Sequence, residues 1–259
     1  MMQRLVAAGW FFFVASSSVL FFLLALVLRI ITRPFDRRLV LLQQFTCFWA
    51  SLYTWIIPAW RIHITGREHL PGKTPHVVVS NHQSLLDILV LFNLFFHFKF
   101  VSKIEIFKIP LIGWNMYLNQ YIRLRRGDRK SVAQMMADCE TAISRGNSVL
   151  IFPEGTRSPD GEIKDFKPGA FIVAHRTKSP ILPVAIAGTN SALPKYSLNF
   201  HGRHDIRMHV LEPIAYERFA HLSVEDTAAL VRRIIRESHE AIRQQSSQTG
   251  GPGTQRISA

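Results

Sequence analysis

Cysteine is scarce in this chain: there are two, Cys47 and Cys139, in different segments. That argues against a disulfide framework or a cysteine metal cluster and makes a reducing compartment the default. Acids are also few, 18 against 31 Lys and Arg, so the formal net charge is +13. No Gly-x-Ser-x-Gly occurs, so nothing marks a serine nucleophile on a strand-to-helix elbow. There is no internal repeat, which removes solenoid architectures. The polarity of a nucleic-acid binder is missing too. With 48% hydrophobic residues, so basic a chain suits an anionic membrane surface better.

What is present begins with residues 5–28, 24 positions without a charge, bounded by Arg4 and Arg29. As a helix they would measure ~36 Å, enough to cross a ~30 Å hydrocarbon core. No small-x-small cleavage site follows, as a signal peptide would need. A basic linker, 29–38, holds Arg29, Arg33, Arg37 and Arg38 against Asp36. A second uncharged run, 39–60, is diluted by Gln43, Gln44, Thr46, Ser51 and Thr54 and carries Trp49, Tyr53, Trp55 and Trp60. Three readings fit it: a second span, a core helix of the following domain, or an amphipathic helix in the interface.

From Arg61 the composition changes. Strands are expected at 62–65, 76–80, 98–102, 121–124, 148–152 and 181–187, with 207–211 as an edge strand. Helices are expected from Ser84, over 129–145 with Gly146 as its cap, and over 223–245 with a Ser223-x-x-Asp226 capping box. Pro110 and Gly113 punctuate an expected loop. The Ser/Gly/Gln-rich tail, 246–259, is expected to be disordered. Strands alternating with helices predict an α/β layered domain over 61–245, behind a membrane-associated segment, 1–60.

Two motifs carry chemistry. Asn81-His82-Gln83-Ser84-Leu85-Leu86-Asp87 lies where a strand hands over to a helix. A neutral His oriented by a carboxylate can take a proton from an alcohol. Yet Ser84-x-x-Asp87 is also a capping box, and on one helix His82 and Asp87 would point about 140° apart. The pair works only if His82 lies outside the helix. The second motif, Phe152-Pro153-Glu154-Gly155-Thr156-Arg157-Ser158, follows a strand. Its guanidinium, hydroxyls and loop amides suit a phosphate monoester; a solvated turn with a local Glu–Arg pair fits equally. His201-x-x-His204-Asp205 has metal-ligand residue types, but an exposed polar loop accounts for it better, and no metal is expected.

His-x-x-x-x-Asp after a strand, followed about seventy residues later by Phe-Pro-Glu-Gly-Thr-Arg-Ser, resembles the glycerolipid acyltransferases of the 1-acylglycerol-3-phosphate acyltransferase family. Two further blocks agree: Lys103 through Pro110 and Gly113 to Ile122 and Arg126, and Pro180-Ile181-Leu182-Pro183-Val184. The four occur in order within 81–188. The chain departs where the family usually reads Gly-x-x-Phe-Ile-Asp-Arg: Gln120, Arg123 and Arg125 replace Gly, Phe and Asp. The added charge would bear on the acceptor or on the membrane surface.

The resemblance implies a layered, mixed, mostly parallel sheet flanked by helices. It also implies transfer of a fatty acyl group from acyl-CoA or acyl-carrier protein to the free hydroxyl of a membrane lysophosphatidate, yielding phosphatidic acid for phospholipid biosynthesis. No cofactor beyond that co-substrate and no nucleic acid is implied. His82 and Asp87 would be catalytic. Glu154, Gly155, Thr156 and Arg157 would bind the acceptor, with Lys103 and Arg126 as further phosphate ligands. The alternatives are another lysolipid acceptor or a non-catalytic membrane-anchored lipid binder. The four-arginine linker and a cytoplasmic acyl donor place both linker and domain on the cytoplasmic side, as at a bacterial inner membrane. The second run would then lie in the interface, and the first would span once or dip into one leaflet, the dipping form fitting Arg4 and the free amino group better.

Overall fold

The computed structural model describes residues 2–158, 161–194 and 203–249. The first apolar run forms one unbroken helix, α1 (Met2–Thr32). Its outer surface is bare hydrocarbon, with Phe12 77%, Leu20 57%, Ile30 64% and Ile31 62% exposed. It is the one helix among the described residues long and apolar enough to cross a membrane. Being unbroken, it does not turn back within itself.

After the linker comes α2 (Val40–Trp55), which packs on α1 and on the domain. Asp36, the linker's one acid, starts it by accepting the Val40 and Leu41 amides. Gln43, Thr46, Ser51 and Thr54, four of the five polar residues that diluted this run, are buried, while Gln44 stays near the surface and donates to the Phe95 carbonyl at 2.9 Å. Gln43 accepts the Tyr121 hydroxyl at 2.6 Å, and Thr46 Oγ1 accepts Asn115 and Asn119 side-chain amides at 3.1 and 3.0 Å. Leu41, Phe48 and Trp55 point outward, 46%, 41% and 53% exposed. The helix therefore buries Leu42, Cys47, Trp49, Ala50 and Tyr53 together with its polar residues, and unlike an ordinary surface helix it leaves apolar side chains outward.

The chain then builds β1 (Trp60–Thr65), β2 (Val77–Ser80), α3 (Leu86–Phe92), β3 (Phe98–Lys103), α4 (Ile112–Leu118), β4 (Ile122–Leu124), α5 (Arg129–Ser144), β5 (Ser148–Ile151), α6 (Gly169–Thr177), β6 (Ile181–Ala187), α7 (Thr189–Ala192), β7 (His204–Val210) and α8 (Val224–Thr249). The seven strands form one sheet in the order β1-β7-β6-β2-β5-β3-β4, parallel except between β6 and β7. β2 and β5 are buried along their whole length, as parallel strands covered on both faces must be. One core layer joins the sheet to α2, α3 and α4; the other joins it to α5, α6 and α8.

Three expectations need correcting. β7 is not an edge strand: β1 pairs in parallel on its outer side, so the edges are β1 and β4. Gly113 sits inside α4, not in a loop; a Cβ there would lie 2.2 Å from the Phe107 carbonyl oxygen, so close backbone approach explains the glycine. α8 runs on to Thr249, past the expected start of the tail; 250–259 lie outside the described residues. So does His201, and with it most of the metal-ligand reading.

Candidate active site

The reactive groups converge because parallel neighbours end on the same side of a sheet. β2, β5, β3 and β4 are consecutive, and their carboxyl ends deliver His82, Glu154 to Arg157, Lys103 and Arg126 respectively. Such an edge is where layered α/β folds place their sites.

His82 lies in the turn after β2, four residues before α3 begins, so the 140° objection disappears. Its Nδ1–H donates to Asp87 Oδ2 at 2.9 Å. The same oxygen accepts the Gln83 amide at 2.6 Å and the Ser84 amide at 2.8 Å. One carboxylate thus makes both the His–Asp dyad and the acid's half of the capping box, while Ser84 Oγ accepts the Leu86 amide at 3.2 Å rather than that of Asp87. The other oxygen of Asp87 accepts the Thr189 hydroxyl. Asp87 is fully buried, and four donors meet its two oxygens. That carboxylate holds the proton on Nδ1 and leaves Nε2 as the basic nitrogen. The imidazole stacks on Phe152, centroids 4.1 Å apart and planes 10° apart.

The backbone of the turn is held independently. Asn81 pins it to β6 through both ends of its amide, donating to the Ile186 carbonyl and accepting the Ile186 amide, each at 2.8 Å. Glu154 Oε1 accepts the His82 amide at 2.7 Å, and the Ser158 amide donates to the His82 carbonyl at 2.9 Å. Glu154 Oε2 accepts the Lys164 amide at 3.2 Å. Glu154 therefore clamps the two motifs together and is nearly buried. Gly155 adopts φ +70°, and a Cβ on it would meet the Lys167 side chain at 2.9 Å. Thr156 and Arg157 follow, half-buried.

Burial pushes the Glu154 carboxyl up to about 7, against the opposing pull of the His82 and Lys164 amides; the Asp87 charge adds to the rise. A carboxyl raised from an ordinary 4.5 to about 7 keeps its proton in the fold where the unfolded chain has released it. Folding stability should then fall as pH rises from about 4.5 to 7, by on the order of 3 kcal/mol in total. Glu154→Gln should flatten that slope in urea unfolding across the window. An unchanged slope would mean that Glu154 titrates normally.

Around Arg157 lie further cations. Burial lowers the Arg126 guanidinium from its ordinary value, with Glu105 opposing and the Arg157 charge adding to the shift. Lys103 pairs with Glu105 at 3.5 Å on the surface. Hydrogen bonds join His82, Asp87 and Glu154, Thr189 and Phe152 adjoin this group, and Lys167 lies against Gly155; Lys103 and Arg126 follow neighbouring strands without a contact to the dyad. Thr189 stands 102 residues from Asp87, and no local pattern marks it.

Beside the dyad opens an apolar cavity of about 350 Å³, lined by Leu85, Leu86, Leu89, Phe100, Ile106 and Met116 among others, and reaching Val14 of α1 and Trp49 of α2. Phe100 packs edge-on against Phe152 at 5.7 Å, so one ring separates the cavity wall from His82.

The acyltransferase family model matches residues 61–187. A chloroplastic 1-acyl-sn-glycerol-3-phosphate acyltransferase of Brassica napus is 42% identical over 167 residues, 64% of this chain and 48% of that protein. The alpha form from Ovis aries is 33% identical over 198 residues, 74% of this chain and 67% of that protein. The crystal structure of the 1-acyl-sn-glycerophosphate acyltransferase of Thermotoga maritima superposes with a TM-score of 0.73 at 23% identity, covering 98% of this chain and 99% of that one; it establishes the fold. The chain spans about half the length of the plant and algal relatives it matches.

Proposed function

Since this chain belongs to the 1-acylglycerol-3-phosphate acyltransferase family, we propose that it moves a fatty acyl group from a thioester donor to the free hydroxyl of 1-acylglycerol-3-phosphate. The observation that carries this reading is the buried dyad, with His82 Nδ1 held by Asp87, beside both an apolar cavity and a cluster of cations. His82 Nε2 takes the hydroxyl proton as the oxygen attacks the thioester carbon. The carbon–oxygen bond forms, the carbon–sulfur bond breaks, and the imidazolium returns the proton to the leaving thiolate. The reaction so written needs no cofactor besides the donor, acyl-CoA or acyl-carrier protein. Arg157, helped by Arg126 and Lys103, holds the acceptor phosphate. Fixing that group places the hydroxyl, which supplies much of the rate.

Membrane association follows from the bare hydrocarbon of α1 and the outward side of α2. Acceptor and product would reach the cavity from the bilayer, since the cavity wall includes both helices. The relatives come from plants, animals, yeast and bacteria, so they assign no compartment.

The test is purified protein with labelled oleoyl-CoA or oleoyl-carrier protein and a panel of lysolipids. Label should enter phosphatidate from 1-acylglycerol-3-phosphate faster than it enters any other product. Faster acylation of a different lysophospholipid would overturn the acceptor assignment, and no transfer to any acceptor would overturn the reaction.

A further inference from the structure

A second cleft, of about 740 Å³, lies at the opposite end of the sheet. Its walls include Arg37, Arg38, Lys99, Arg123 and Arg145, with Asp138 as the one acid. Lys99 opens β3 and Arg123 lies in β4, whereas His82, Glu154 and Arg157 follow the carboxyl ends of β2 and β5. About 13 Å of strand, from Lys99 to Lys103 at about 3.3 Å per residue, separates the two places. Of the three residues that depart from the family pattern, Gln120 and Arg123 line this cleft, and Arg125 does not. The Arg123 charge therefore bears on a different ligand from the acceptor at His82.

The cleft is constructed rather than a scatter of surface charge. Lys99 is 4% exposed, its ammonium fixed by the carbonyls of Arg38 at 3.2 Å and Asn119 at 2.9 Å. The Arg38 guanidinium lies over Gly146, 3.6 Å from where a Cβ would stand. Arg123 sits over the Tyr117 ring at 5.6 Å. Among the described residues none of the four arginines makes an ion pair. Asp36, the acid nearest in sequence, is occupied in capping α2, and Asp138 accepts Gln134. Burial, with Arg29 and Arg38 adding and Asp36 opposing, pushes Lys99 down to about 8; a bound anion would relieve that.

Position selects the anion. Arg37 and Arg38 belong to the linker directly after α1, whose last turn exposes Ile30 and Ile31, and Phe35 beside them is 69% exposed. Cations at the rim of a hydrocarbon surface meet the phosphates of lipid headgroups, and guanidiniums bind phosphate oxygens in pairs. We propose that this cleft is a phosphate-binding site, distinct from the acceptor site, that takes the phosphate of an anionic membrane lipid.

The experiment reads binding and not turnover, so it stands apart from the acyl-transfer reading. The full chain is sedimented with vesicles of phosphatidylcholine alone or with one-fifth phosphatidylglycerol. Arg123→Gln with Arg145→Gln should lower affinity for the anionic vesicles about tenfold or more and leave the neutral ones unaffected. Arg233→Gln with Arg236→Gln, on exposed α8 positions, removes the same charge and should cost less than twofold. Arg123→Lys with Arg145→Lys should retain most of the affinity, which separates loss of charge from loss of fold. In a parallel arm, inorganic phosphate in solution is tested for raising the melting temperature of the wild type but not of the Gln pair. A response to vesicles alone assigns the site to lipid, and a response to both extends it to free phosphate. Equal losses in the cleft and α8 pairs, or no loss in either arm, would overturn the site.

Discussion

Replacing His82 by alanine should lower turnover about 10²–10⁴-fold, the usual contribution of a positioned general base, with little change in the amount of folded protein. The fold tolerates the change because the turn is held through its backbone: the His82 amide to Glu154, the Ser158 amide to the His82 carbonyl, and Asn81 to Ile186. Steady-state assay of the variant with acyl-CoA and lysophosphatidate checks this, and near-normal turnover would remove His82 from the mechanism. Asp87→Asn should differ in kind. Asp87 accepts from His82 Nδ1, two backbone amides and the Thr189 hydroxyl, so the variant should lose both melting temperature and turnover. A fall in melting temperature alone would leave Asp87 with its helix-capping role only.

Arg157→Ala should raise the KM for lysophosphatidate by about 10–150-fold, from the roughly 1.5–3 kcal/mol of a hydrogen bond to a charged group. The KM for the acyl donor should change far less. Arg157→Lys should rescue only part of the loss, since an ammonium cannot make the bidentate fork. The Arg157 charge adds to the lowering of Arg126. A phosphate between them would turn that repulsion into attraction, so Arg126→Ala should act in the same direction with a smaller effect. Acceptor KM unchanged in the Arg157 variants would rule out phosphate binding there and would favour the local turn reading of the Glu154–Arg157 loop.

Several features were readable from residue order alone, each because its cause is local. A charge-free run of 24 residues can satisfy its backbone only as a helix in lipid, and α1 is that helix. Short apolar runs bounded by turn residues became β2, β3, β5 and β6. Gly146, at φ +78°, marks the end of α5 by capping chemistry, and the structure adds Asp128 at its start, accepting the Lys130 and Ser131 amides. The residue types of the site were legible too, because acid–base and phosphate chemistry admit few side chains.

Tertiary structure decided what depends on partners distant in sequence. Whether Asp87 serves the helix or His82 could not be settled within one heptapeptide; the backbone of the turn lets one carboxylate do both. Thr189, 102 residues on, completes its hydrogen bonds. In sequence the run 39–60 fits a span, a core helix or an interfacial helix; partners of Gln43 and Thr46 at 115–121 turn that side inward, and Leu41, Phe48 and Trp55 face out. Strand 204–210 is apolar on one side only in sequence, yet it is interior to the sheet because β1, about 140 residues earlier, pairs along it. The arginines of the linker and of β4 became one cleft only when the sheet brought residues 37, 38, 123 and 145 together. Local sequence determines which groups are available, and the long-range pairing of strands determines which of them meet.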